Sequence, residues 1–544
     1  MTFGDHLIIA PIIIPLFAGG LILLLDGRRR EATTAINVLA TAALLAVAIG
    51  LLVTSTHDDP GAVARVYRLG NWPASFGIVL VVDRLAALML VLTATIACAS
   101  LLFALASWHR VGSFFHPLFQ FLLMGLNGAF LTGDLFNLFV FFEVLLAASY
   151  GLALHGSGRA RVSSSLHYIV INLTASSLFL IGVSLIYGTA GTLNMAALGD
   201  RIPVLDPSER RLFEIGAAIL GIAFLVKAAA WPLGFWLPTL YASAAAPVAA
   251  VFAVLTKVGA YVILRLGSIT AEAAGGASIF FAEGWLVAIG IATMCFAAIG
   301  MLASQDMGRL AGYNVLVSSG TVLAAIGVGG SGMTGAALFY LVSSTLTLSA
   351  FFLLVDLVER GRTPADDVLA VTLEVYGAEE EDAAEEQEEV GVAIPALLAV
   401  LGVAFLACGV LLSGLPPLSG FIAKFAILSS LLDQTWLVGG GTISVQYWIL
   451  FLVVVVSSLA TVVAVMRAGV RAFWSIDREL PRVRGVELGA VALLLFLCVA
   501  LTVQAGPVMQ FMEVTAKGLE LGRPYIGAVR AQSPTEHLKR ESAR

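Results

Sequence analysis

The sequence predicts an all-α polytopic membrane protein with about fourteen transmembrane helices. Three observations predict it. Of 544 residues, 59% are hydrophobic and only 12% are charged, with a mean hydropathy of +0.96; a soluble domain carries about 25% charged residues. The apolar residues fall in runs of the roughly 20 that a helix needs to cross about 30 Å of hydrocarbon. No run alternates over the roughly ten residues of an outer-membrane strand. An ordinary soluble enzyme, a disordered chain and a nucleic-acid binder are excluded.

The spans lie near 6–26, 33–54, 79–107, 112–131, 135–156, 164–187, 213–240, 246–267, 279–303, 308–328, 334–358, 393–431, 445–468 and 486–511. They are apolar nearly all round, as buried or lipid-facing helices are. The first run follows Asp5 and His6, with no basic leader or obvious cleavage site, so a retained helix is expected. Loops after odd-numbered spans carry fourteen basic residues, among them Arg28, Arg29, Arg30, Arg110, Arg159 and Arg161. Loops after even-numbered spans, with their span ends, carry seven, including Arg65, Arg68, Arg84 and Arg265. Excess Lys/Arg marks the cytoplasmic side, so the odd loops are expected inside and both termini outside. No arginine is expected in a membrane core. Of only five lysines, Lys227, Lys257 and Lys424 remain there.

Cys98, Cys295, Cys408 and Cys498 are isolated in apolar stretches, so neither a disulfide framework nor a metal or iron–sulfur site is indicated, and no cofactor is expected. Eight acids between Glu379 and Glu389 account for the negative net charge. The stretch 374–389 reads as a solvated loop, with docking or cation attraction as the lesser reading.

Two spans are too long and contain prolines. Span seven runs through Lys227 to Trp231-Pro232 and Trp236-Leu237-Pro238; span twelve runs through Pro416-Pro417 to Lys424. Proline removes a backbone donor and clashes with the preceding turn. In lipid the freed carbonyls need protein or water, so such breaks mark transporter ion paths built from inverted repeats. Spans 4–8 and 9–13 are five each, which inverts the second copy, and the broken span is fourth in both. The expected organisation is 1–111 for spans one to three, 112–267 for the first unit and 279–468 for the second. The second unit includes an acidic cytoplasmic loop at 359–392. Residues 486–544 form span fourteen and a polar external tail.

Glu143 is the only acid deep in a span. One ionised side chain at mid-membrane costs about 2.5–3.5 kcal/mol on insertion scales, so four such groups imply a use. A Glu143–Lys227 tether is the structural reading, but it leaves Lys257 and Lys424 without an acid. Lysine can lose its proton when desolvated and arginine cannot, which suits a proton relay. Candidate hydroxyl and amide groups for ordering water are Ser176, Ser177, Asn314, Ser318, Ser319, Tyr340, Ser343, Ser344, Thr345 and Thr347. Membrane hydroxyls more often bond their own backbone. His116 and His167 read as interfacial.

The run Leu131-Thr132-Gly133-Asp134 through Asn137 to Glu143 resembles the proton-conducting antiporter-like subunits shared by multisubunit Mrp-type Na⁺/H⁺ antiporters and the membrane arm of respiratory complex I. So do Lys227 with its two Trp/Pro pairs and Thr256-Lys257-Val258-Gly259 with Tyr261. The Lys257 run and Pro524-Tyr525-Ile526-Gly527-Ala528-Val529 look most like the D subunit of the Mrp antiporter. The resemblance implies fourteen helices with two inverted five-helix units. It also implies a proton relay of Glu143, Lys227, Lys257 and Lys424, with Trp231, Pro232, Pro416, Pro417, Ser343 and Ser344 at the helix breaks and in support. Many relatives have His where this chain has Ser343-Ser344. The implied function is proton translocation in a monovalent cation (Na⁺)/proton antiporter of a bacterial plasma membrane, with other antiporter subunits, H⁺, Na⁺ and the lipid bilayer as partners. A proton-pumping subunit of complex I or of a membrane-bound hydrogenase shares these features. A membrane transferase would need a nucleophile or metal cluster, and none is found. A self-sufficient single-chain transporter is the remaining alternative.

Overall fold

The computed structural model describes residues 3–25, 29–57, 64–72, 77–110, 112, 114–271, 284–360, 396–437, 445–473, 482–520 and 522–531. The acidic stretch 374–389 lies outside them.

The helices are α1 Ala10–Leu24, α2 Arg30–His57, α3 Arg84–Ala104, α4 Phe115–Leu131, α5 Leu135–Ala153, α6 Arg159–Ala190, α7 Met195–Arg201, α8 Pro207–Lys227, α9 Leu237–Ser243 and α10 Ala246–Ala271. They continue with α11 Trp285–Ala303, α12 Met307–Val328, α13 Ser331–Glu359, α14 Ala396–Ser413, α15 Ser419–Leu437, α16 Val445–Phe473, α17 Gly485–Val503, α18 Ala505–Glu520 and α19 Arg523–Ala531. Eleven described helices are long and apolar enough to cross a membrane, and α1 and α4 are shorter apolar helices. The interrupted span seven, α8 and α9, completes fourteen. α10 and α13 are the most enclosed, each with a central window 94% buried. They touch through Ser349, which donates to Ala250 O at 2.8 Å, and form the middle of the molecule.

Local chemistry sets the helix starts. Asp134 caps α5 by accepting from the N–H groups of Phe136 and Asn137, and Asp306 caps α12 by accepting from Arg309 N–H. Such a side chain satisfies an orphan donor of the first turn. Helix pairs close where both partners are glycine. A Cβ on Gly182 would meet Gly216 O of α8 at 2.9 Å, and one on Gly290 would meet Gly320 O of α12 at 2.6 Å. Apolar helices in lipid associate through such close contacts.

Three expectations are corrected. Residues 79–83 begin span three in the sequence reading, but they form strand β2, Val79–Asp83, antiparallel to β1, Ala64–Arg68, with Val66 opposite Val81. The β-branched run favours a pleated strand, and Asp83 starts α3 only afterwards by accepting from Ala86 N–H at 2.8 Å. Span fourteen, expected to run to 511, ends at Val503 and turns at Gln504 into α18, and the described part of the tail beyond it contains α19. Arg265, counted with the loops and span ends, is buried inside α10 and survives there because Asp83 neutralises it.

Candidate functional site

The two interrupted spans leave backbone groups to satisfy. In span seven α8 stops at Lys227. Ala229 takes a left-handed φ of 54°, and the carbonyl of Ala228 accepts from Ser319 of α12. Trp231 N–H donates to Thr293 Oγ1 of α11 at 2.9 Å. In span twelve, Gly414 is also left-handed, at φ 74°, and Leu415 N–H donates back to Val410 O at 3.1 Å. At each break a glycine passes against a carbonyl. A Cβ on Gly234 would lie 2.0 Å from Ala229 O, and one on Gly420 would lie 2.0 Å from Leu411 O. Trp231, Pro232, Pro416 and Pro417 are exposed at the tips of the breaks.

The lysines sit on opposite sides of their breaks. Lys227 ends α8 and donates to Asn172 Oδ1 of α6 at 3.0 Å; its ammonium lies 5.8 Å from the Phe142 ring centre. Lys424 follows its break and folds back to donate to Leu412 O at 2.9 Å, Ser413 O at 3.0 Å and Ser458 Oγ at 2.9 Å. The carbonyls are those of the last turn of α14, the negative end of its dipole.

The expected Glu143–Lys227 pair is bridged instead of direct. Glu143, half-buried, accepts from Ser176. Ser176 and Asn172 are one turn apart on α6, so one helix face holds both charged groups. Sequence reasoning had Ser176 but missed Asn172; its signal was the spacing of four residues.

Lys257 is fully buried and donates to Ser318 Oγ at 2.6 Å. Ser318 and Ser344 hydroxyls are 2.8 Å apart, and Ser343 and Ser419 hydroxyls 2.9 Å. Between them is a cavity lined by Asn314, Ser318, Tyr340, Ser343, Ser344 and Leu412, with about 10 Å³ for a water's centre, close to the ~10–15 Å³ that one water needs. Hydroxyls therefore run from Lys257 to Ser419, which lies just past the break that Lys424 closes. Ser318 and Ser319 divide the work, the first on Lys257 and the second on the Ala228 carbonyl. Other candidates serve their own helices: Ser177, Thr345 and Thr347 donate to backbone carbonyls four residues earlier, and so does Asn314. His167 is exposed. His116, in the first turn of α4, is buried and accepts from Asn37 Nδ2 at 2.6 Å.

A larger cavity of about 560 Å³ opens between α6, α9 and α12, lined by Ser164, His167, Trp236, Ser243, Asp306 and Arg309. Its helix ends all belong to odd-numbered loops. Beside it the ring of Tyr168 lies tilted against that of Trp236, 5.0 Å between centres, and the buried Trp236 indole N–H has no partner among the described residues. From this vestibule Ser164, Tyr168, Asn172 and Ser176 follow at four-residue steps along α6. At 1.5 Å per residue they cover about 18 Å, half a membrane. Among the described residues no group of three or more His, Cys, Asp or Glu gathers as metal ligands.

Residues 132–450 match the family described as NADH:quinone oxidoreductase/Mrp antiporter, transmembrane. The chain is 56% identical over 519 residues to a protein of Rhizobium meliloti named as the D subunit of a probable K(+)/H(+) antiporter, covering 95% of this chain and 96% of that one. It is 32% identical to the D subunit of the Na(+)/H(+) antiporter of Alkalihalophilus pseudofirmus, covering 93% and 96%. Its fold matches a chain of the Mrp complex from Dietzia sp. with a TM-score of 0.79 at 24% identity, covering 97% and 100%. It also matches a chain of respiratory complex I from Thermus thermophilus at 0.71 and 22%, covering 94% and 99%.

Proposed function

The chain belongs to the NADH:quinone oxidoreductase/Mrp antiporter transmembrane family, and from that premise we propose that it is the proton-translocating D subunit of a multisubunit monovalent cation/proton antiporter. The antiporter resides in a bacterial plasma membrane, with the odd loops cytoplasmic and both termini external. Its partners are the other antiporter subunits. The relative at 56% identity is named for K⁺ and the one at 32% for Na⁺, which supports a monovalent alkali cation as the transported ion.

Protons enter from the cytoplasmic vestibule along the α6 stripe to the Glu143–Ser176 and Asn172–Lys227 pairs. They pass by Lys257 and the serine hydroxyls toward Lys424. The observation that carries this reading is the hydroxyl line from Lys257 through Ser318 and Ser344, continued by Ser343 and Ser419. Two inverted units, 112–267 and 279–468, frame the relay. Matching caps support them: Thr132 Oγ1 donates to Asp134 O at 3.2 Å and Ser304 Oγ to Asp306 O at 3.3 Å, each at the second helix of its unit.

The test uses everted vesicles carrying the whole complex. Glu143→Gln is expected to assemble normally and to lose K⁺- and Na⁺-dependent dissipation of ΔpH. Full activity with normal assembly would overturn the relay. Copurification with hydrogenase-like or quinone-site subunits would favour the redox-pump alternative.

A further inference from the structure

Lys257 has a second side that the relay does not use. Lys257, Tyr261 and Arg265 follow at four-residue steps on α10, so one face leads from the lysine about 12 Å toward the face of the molecule opposite the vestibule. Each group along it is already engaged. Tyr261 donates its hydroxyl to Phe130 O at 2.6 Å. Arg265 grips Asp83 with two contacts of 2.5 and 2.7 Å, and both side chains are buried. Arginine does not deprotonate, and Asp83 is also held by the N–H of Ala86. The small cavity beside Tyr261 is otherwise lined by apolar residues such as Leu85, Met89, Leu264 and Leu341, and an apolar void stays dry.

The C-terminal helix lies over this end. The Tyr525 ring covers Arg265, whose guanidinium carbon is 5.1 Å from the Tyr525 centre and 5.4 Å from that of Tyr261. α19 is fastened at three further points. Arg68 of β1 donates to Val529 O at 3.2 Å, Ile526 packs so close to Gly199 of α7 that a Cβ there would meet it at 2.9 Å, and Arg530 pairs with Asp200. The hairpin is stitched to the same end by Gly133 N–H donating to Val79 O at 2.9 Å.

We propose that Tyr261, Arg265, Asp83 and Tyr525 form an outer seal, clasped shut by α19, that denies Lys257 a direct exit and makes passage toward Lys424 obligatory. The inference rests on the relay reading of Lys257. Without the seal, protons entering the vestibule would leak through the first unit without moving a cation.

The test measures the decay of an imposed ΔpH in vesicles carrying the full complex, with neither K⁺ nor Na⁺ present. Tyr525→Ala is expected to speed this decay on the order of tenfold, the change that about 1.4 kcal/mol off a barrier produces. Adding Lys257→Met should abolish the extra leak. An unchanged decay in assembled Tyr525→Ala overturns the seal, as does a leak that survives Lys257→Met. If Lys257→Met alone leaves cation-dependent exchange intact, the relay reading fails and the seal falls with it. If Tyr525→Ala does not assemble, Arg530→Ala loosens the same helix at a surface ion pair, and a Lys257-dependent leak there carries the test with the same outcomes.

Discussion

The two interrupted spans hold their lysines by different means. Lys424 spends its ammonium on three protein acceptors, two of them carbonyls at the end of α14. An ammonium has three donors, so that cation is fully engaged. Lys227 and Lys257 each have one hydrogen-bonded protein acceptor among the described residues, Asn172 and Ser318, which leaves donors to share with water. In the proposed relay Lys424 is the anchored terminus, while Lys227 and Lys257 are the groups that exchange partners.

That contrast can be broken in graded ways. The largest effect is expected at a feature the two breaks share. Gly234→Ala or Gly420→Ala would drive a methyl into a carbonyl 2.0 Å away, and backbone cannot give way as a side chain can. Either variant should sharply reduce the assembled complex, read as its yield after extraction. Next is Asn172→Leu, which strips Lys227 of its acceptor. Removing the acceptor of a buried charged donor costs at least the roughly 1–3 kcal/mol of an unsatisfied buried group, and the amide carbonyl is the stronger acceptor, so cation-dependent exchange should fall at least tenfold. Asn172→Asp should recover more of it than Asn172→Leu. The smallest effect compares single hydroxyls. Ser318→Ala removes Lys257's one acceptor and should cost about 1–3 kcal/mol of stabilisation, seen as a several-fold slower exchange. Ser458→Ala leaves Lys424 two carbonyls and should change the rate less. Equal effects at the two serines would remove the distinction between anchored and exchanging lysines.

Much of this architecture was legible in the residues. The fourteen spans, the breaks at Pro232 and Pro416 and the three lysines followed from apolar run length and the rarity of charge. Strand β2 was not, because a buried strand and the start of a helix look alike over four apolar residues. Asn172 was missed because it is one of several polar residues on a helix that is apolar on most sides. The partner of His116 was not legible, because nothing near it in sequence announces Asn37. Arg265 was read as an ordinary span end because its counter-ion is 182 positions away.

The sequence by itself determined what must cross the membrane, where helices cannot continue and that Glu143 and three lysines are left inside. These are local properties, set by solvation of side chains and backbone in hydrocarbon. Only the tertiary structure decided which acceptor each charge meets: Asn172 and Ser176 between Glu143 and Lys227, paired serines beyond Lys257, carbonyls around Lys424, and Tyr525 over Arg265. Helices that are apolar nearly all round carry no periodic signal for the face they turn to a neighbour. Close packing at glycines and the few buried polar contacts choose it.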